Sequence, residues 1–147
     1  MLVMHDQMRR ILSSLNGEMD RRLRDIGLAG GYGQPLLHLM RRPGITVAEL
    51  ARTCGQKPGN VSRLLDRLEA MGLCQRSRSR QDRRLVSVEL TPAGMEKARL
   101  IPAILESAEL KATTSFTAHE VEQLAFFMQR MLSNFTAHAG DKNKSIP

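Results

Sequence analysis

Residues 46–91 read TVAELARTCGQKPGNVSRLLDRLEAMGLCQRSRSRQDRRLVSVELT, and this stretch decides the fold. Thr46-Val47-Ala48-Glu49 is a capping box: a threonine hydroxyl satisfies a free amide of the first turn, and a glutamate reaches back from three residues on. Val47, Leu50, Ala51 and Cys54 then share one helical face. Gly55 stops that helix, because a left-handed turn residue has no Cβ penalty when it is glycine. A second helix starts near Pro58, turns Val61, Leu64, Leu65 and Leu68 to one side, and ends at Met71-Gly72. Two short helices over a glycine turn predict a helix-turn-helix, with small Ala51 at the crossing and Leu50, Cys54, Val61 and Leu64 as the wedge.

The segment that follows predicts a hairpin. Residues 73–77 are short and mixed, while Val86, Val88 and Leu90 alternate with Ser87 and Glu89 at the strand period. Between them stand Arg76, Arg78, Arg80, Arg83 and Arg84, five arginines in nine residues. At a solvated surface such neighbours repel by roughly a few tenths of a kcal/mol per pair. A core has no use for them, whereas a polyphosphate does. Placed directly after a recognition helix, the hairpin reads as a wing. Asp82 is its one acid, expected to pair with Arg84 or Arg80 and stiffen the loop.

Outward from this centre the chain is helical. Met4, Met8, Ile11, Leu12, Leu15, Met19, Leu23 and Ile26 follow the helical period and predict one long amphipathic helix, ended by Gly27, Gly30 and Gly31. A short helix with Pro35 in its first turn carries Leu36, Leu37, Leu39 and Met40 to the stop at Arg42-Pro43-Gly44. Thr91-Pro92 restarts a helix that runs to about Thr113, with Pro102 as the place for a kink. Thr117-Ala118-His119-Glu120 is a second capping box, and Val121, Leu124, Met128, Met131 and Phe135 line the last helix to Gly140. The predicted fold class is mainly α with a small β-hairpin wing. The expected division is an N-terminal helix over 1–33, the winged helix-turn-helix over 34–91, C-terminal helices over 92–140 and a tail at 141–147. Both terminal segments are expected to dimerise, since their wide apolar faces lack a partner in so small a domain.

Composition fits this reading. With 41% hydrophobic and 25% charged residues, the chain is expected to be globular. The 22 Lys and Arg against 15 Asp and Glu leave a net charge of +7. Arginine predominates, which favours nucleic acid over membrane through forked contacts to phosphate and guanine. No apolar run approaches the roughly 20 residues of a membrane span, and no export signal is read at the N-terminus. The cytoplasm is the expected compartment. Cys54 and Cys74 have no zinc-type spacing, and His5, His38, His119 and His138 are scattered, so neither metal nor cofactor is expected. An enzyme is not expected: no Ser-His-Asp grouping, phosphate loop or carboxylate pair stands out, and only Tyr32, Phe116, Phe126, Phe127 and Phe135 are available to line a cleft.

Asp82-Arg83-Arg84, followed by Leu90-Thr91-Pro92-Ala93-Gly94, resembles the wing signature of MarR-type transcription regulators, Asp-x-Arg-x5-Leu-Thr. Val61 to Leu73 is similar to that family's recognition helix and its exit, and the close match covers about residues 45–95. Cys74-Gln75 departs from the apolar and polar residues that many relatives carry before the wing arginine. The resemblance implies a homodimer with interlocked terminal helices, and release from DNA by a small ligand or an oxidant. A recognition helix reads bases with its first turns and grips phosphates along its flanks. The expected DNA contacts are Lys57, Gly59, Asn60, Ser62, Arg63 and Arg67, with Arg76, Arg78, Arg80, Arg83 and Arg84 of the wing. Asn60 suits adenine and Arg63 suits guanine by their edge patterns. Asp66 and Glu69 are expected to face away from DNA or to pair with Arg63 and Arg67. Effector candidates are Tyr32, Leu36, His38 and Arg41, where the first, second and fifth helices meet. Cys54 is expected in the core. Cys74 is the redox candidate, because nearby Arg76 and Arg78 lower its pKa if it is exposed. The function expected is a sequence-specific double-stranded DNA-binding regulator, a repressor acting as a homodimer on an inverted repeat. The alternative is an architectural DNA-binding protein without a ligand switch.

Overall fold

The computed structural model describes residues 2–28 and 31–140. Gly30, the His138 side chain and the tail at 141–147 lie outside the described residues. The chain divides into two compact units, Met1–Glu109 and Leu110–Pro147. Elements run α1 (Leu2–Asp25), α2 (Gly33–Arg41), β1 (Ile45–Thr46), α3 (Val47–Thr53), α4 (Pro58–Ala70), β2 (Cys74–Arg78), β3 (Val86–Leu90), α5 (Pro92–Ala98), α6 (Ile101–Ala112) and α7 (Ala118–Gly140). Among the described residues no helix is long and apolar enough to cross a membrane.

Local chemistry sets the boundaries. Thr46 accepts from the Glu49 amide and Glu49 from the Thr46 amide, each at 3.2 Å, so the capping box starts α3. Gly55 and Gly72 end α3 and α4 with φ of +64° and +71°, a region costly to any residue with a Cβ. At both ends the following amide reaches back to a carbonyl of the last turn: Gln56 to Ala51 and Leu73 to Leu68, each at 2.9 Å. In the second unit the Thr117–Glu120 box starts α7 in the same way, with the Thr117 amide 2.7 Å from Glu120.

Two features differ from the sequence reading. Pro102 does not kink a continuous helix. The chain turns at Arg99 and Leu100, and Pro102 becomes the second residue of α6, where its missing N–H leaves no bond unmade. The hairpin also gains a third strand. β1 pairs antiparallel with β3, Ile45 opposite Val88, giving the sheet order β1-β3-β2.

One apolar cluster holds the first unit together. Leu36, Leu37 and Leu39 of α2, Leu50 and Ala51 of α3, and Val61, Leu65 and Leu68 of α4 are buried together. Leu23 of α1, Leu28, Tyr32, Ala98 of α5 and Ile101 of α6 join them, with Cys54 and Leu64 packed half-buried against the cluster. The wing enters the same cluster through Leu73, Cys74 and Val88. Each fully buried aliphatic side chain of this kind contributes about 1.5–3 kcal/mol.

α5 is seated tightly on the turn after α4. Thr91 donates from its amide to the Leu73 carbonyl at 3.1 Å, and its hydroxyl accepts from the Gly94 amide at 3.1 Å. A Cβ on Gly94 would stand 1.8 Å from the Leu73 carbonyl oxygen. That atom is backbone and has nowhere to move without shifting the root of the wing. Gly94→Ala should therefore destabilise the fold by about 2–4 kcal/mol. Thermal unfolding followed by circular dichroism measures this, and an unchanged midpoint would contradict the close approach.

Candidate nucleic-acid interface

The outward face of α4 is polar and accessible. Lys57, Gly59, Asn60, Arg63 and Arg67 are exposed, and Ser62 is half-buried. α4 opens on Lys57 with no side-chain cap, Pro58 in its first turn and no acid there. The helix dipole leaves partial positive charge at this end, which favours an anion. Arg63 Nη2 donates to Asn60 Oδ1 at 3.0 Å, so the two candidate base-reading side chains form one unit on the exposed face.

β2 and β3 pair from Cys74 opposite Leu90 to Arg78 opposite Val86. Strand alternation puts Cys74, Arg76 and Arg78 on one face with Val86, Val88 and Leu90. Gln75 and Ser77 share the other face with Glu89 and Ser87, and the two serine hydroxyls lie 3.0 Å apart. The loop at the tip is closed by short bonds. The Ser79 amide donates to the Leu85 carbonyl at 2.9 Å, and Ser79 Oγ accepts from the amides of Gln81 and Asp82. Asp82 Oδ1 accepts from the Arg84 backbone amide at 3.0 Å, so Arg84, one of the two expected partners, is engaged through its backbone.

Arg76 behaves unlike the other wing arginines. Its side chain points back to α4 and is 23% exposed. It donates to Glu69 Oε2 from Nε at 3.1 Å and from Nη2 at 2.7 Å, and also bonds Asp66. Glu69 and Asp66 thus pair with Arg76, not with Arg63 and Arg67. The Arg76 hydrogen bond holds the Glu69 carboxyl below its ordinary value, and Glu69, with Asp66, pushes the Arg76 guanidinium further up. Sequence reasoning placed Arg76 outward with the rest. The strand period puts residues 76 and 78 on the face of Cys74, and of the two it is Arg76, nearer the buried root, that reaches the acids of α4.

Arg78, Arg80, Arg83 and Arg84 are exposed, and among the described residues none of their side chains makes an ion pair. Between wing and helices lies a groove of about 510 Å³. Thr46 to Ala48 and the start of α4 at Pro58 and Ser62 form one wall, and Arg76, Arg78 and Arg84 stand on the other. The surface therefore joins the start of α4 to the exposed guanidinium groups of Arg78, Arg80, Arg83 and Arg84.

Residues 26–85 match the sequence model of the MarR family. This winged domain is similar to the MarR family. The chain is 26% identical over 125 residues to an HTH-type transcriptional repressor of Mycobacterium tuberculosis, across 85% of this chain and 90% of that protein. The MepR–DNA complex of S. aureus has the same fold, with a TM-score of 0.80 at 24% identity over 88% of this chain and 96% of MepR. A MarR transcriptional regulator of Methanosarcina mazei superposes with a TM-score of 0.86 at 19% identity, covering 93% of this chain and 99% of that one.

The remaining candidates fall elsewhere in this winged domain. Tyr32 and Leu36 are core residues, His38 is half-buried and Arg41 exposed; none of them lines the groove. Burial, then the Arg41 charge, holds the His38 pKa down. Among the described residues no three His, Cys, Asp or Glu side chains converge as a metal site. Cys54 is half-buried, and burial pushes its thiol up. Cys74 is buried, so the exposure on which its reactivity depended is missing. Burial first, then the Glu69 charge, pushes its thiol up to about 11 against the weaker pull of Arg76. In a Cys54→Ser variant, maleimide should label Cys74 in the native protein about 100-fold more slowly than in urea at neutral pH. The rate should keep rising as pH climbs toward about 11. Labelling at the unfolded rate would contradict the burial.

Proposed function

We propose that this protein binds double-stranded DNA in a sequence-specific manner and regulates transcription, as a repressor, through a homodimer on an inverted repeat. The observation that carries this reading is the groove-spanning surface: an exposed α4 face with Asn60 and Arg63, beside Arg78, Arg80, Arg83 and Arg84, which have no acid partner among the described residues. Side chains on the first turns of α4 suit base edges, and the wing cations suit phosphates. MepR, which shares the fold, has been solved as a DNA complex, and the mycobacterial relative is named a repressor. Support for a dimer comes from each terminal helix taken by itself. α1 leaves Val3, Met4, Met8, Ile11 and Leu12 exposed, and α7 leaves Leu124, Phe126, Phe127, Met128, Leu132 and Phe135 exposed. Apolar faces of that extent mark contact surfaces. Release by a ligand or oxidant is not part of this reading, because Tyr32 and Leu36 are core and Cys74 is shielded.

Selection of bound fragments from genomic DNA should return one bounded palindrome with half-site centres about 10 base pairs apart, or a multiple of that. Diffuse coverage would favour the architectural reading instead. On the selected duplex, Arg63→Ala should cost roughly 1–3 kcal/mol and change sequence preference. Arg83→Ala should weaken binding to every duplex and lower the salt slope by about 1. Wild-type binding by both variants would refute the assignment of this surface.

A further inference from the structure

A cationic surface built only to attract DNA has no use for acids at its edge, yet α4 carries two, Asp66 and Glu69, one turn apart. Both are bonded to the same wing residue. Glu69 Oε1 accepts from the Arg76 backbone amide at 2.8 Å, while Glu69 Oε2 accepts from the Arg76 side chain at 2.7 and 3.1 Å. Asp66 takes a further bond from Nη2, and Arg76 Nη1 donates to Ser62 Oγ at 3.4 Å. One guanidinium thereby reaches three residues of α4 spaced over two turns.

The charges in this cluster sum to one negative, so it works against attraction of a polyanion. What it supplies is geometry. Charge-assisted and forked bonds are shorter and more directional than neutral ones, and a planar guanidinium loses little freedom in making them. The wing is otherwise tied to α4 at its root, where Leu73 and Cys74 are buried and Cys74 Sγ lies 3.9 Å from the Leu65 carbonyl. Arg76 adds a second tie further along β2, and two separated ties fix an angle that one does not.

We infer that Arg76, Glu69 and Asp66 act as a positioning clamp that sets the wing against the recognition helix, with Arg76 directed at protein and not at phosphate. The inference rests on the DNA-binding reading above. It gives Glu69, an acid, a role in favour of operator binding, and this reverses the sign expected from charge alone. Removing a carboxylate beside a cationic surface strengthens binding to any duplex if Arg76 is a phosphate contact, since it frees that guanidinium. If the clamp holds, removal weakens binding to the one duplex that needs the wing and α4 in register.

The test uses the full chain, the selected operator duplex and an unrelated duplex of equal length, with fluorescence anisotropy at several salt concentrations. Glu69→Gln should bind the operator roughly ten-fold more weakly and the unrelated duplex as well as or better than wild type, so that the specificity ratio falls. Arg76→Lys keeps the charge and loses the fork; it should show the same loss of specificity with an unchanged salt slope. Circular dichroism confirms that each variant is folded, and a merely structural role would not separate the two duplexes. Tighter operator binding by Glu69→Gln, or wild-type operator affinity in Arg76→Lys, would overturn the clamp. Wild-type protein that binds neither duplex would sink the DNA-binding reading itself, and the clamp's role with it.

Discussion

The wing stands because its root is buried. Leu73 and Cys74 enter the core with Val88, against Leu65 and Leu68 of α4, and β1 adds Ile45 opposite Val88 on the far side of β3. A two-stranded hairpin by itself is marginal in water. Four unpaired arginines at its free end make it less stable, by roughly a few tenths of a kcal/mol for each close like-charge pair. Each buried aliphatic side chain at the root is worth about 1.5–3 kcal/mol, so burial wins and the charges can stay concentrated. The display of positive charge depends on apolar packing at its base.

Four acids near this surface are engaged with the protein. Asp82 is held by the Arg84 amide inside the wing loop, and Glu69 and Asp66 are held by Arg76 between wing and helix. Glu49 closes the cap of α3. Each carboxylate is bound where it shapes backbone or inter-element geometry. The guanidinium groups of Arg63, Arg78, Arg80, Arg83 and Arg84 are left exposed. Together with the uncapped start of α4, that distribution gives the winged domain a face complementary to a polyanion while its neighbouring parts stay rigid.

Local signals were legible in the sequence wherever a short range of residues settles the structure. Thr46 with Glu49, Thr117 with Glu120, and Thr91 with Pro92 mark helix starts because cap chemistry is confined to four residues. Gly55 and Gly72 mark ends because only the αL turn explains them at those points. β1 was not legible: two residues carry no period, and Ile45 and Thr46 are extended because β3 pairs with them. Arg76 shares its charge with its neighbours, but its place near the root of β2 brings it within reach of Glu69 and Asp66, and those acids turn it back to α4. Asp66 and Glu69 depend on contacts seven to ten residues distant, which no helical spacing reports. Cys74 was judged by adjacent arginines, but burial is set by the sheet's packing on α4, and burial governs its thiol.

If α4 and the wing form one rigid surface for a duplex, that surface must be what DNA covers. Amide hydrogen exchange on the full chain, with and without the selected operator duplex, reads this directly across every segment. The account predicts slowed exchange concentrated at residues 57–63 and 78–85, with α5 unchanged. Protection confined to α1 or α7, with the start of α4 and the wing exchanging as in the free protein, would contradict it.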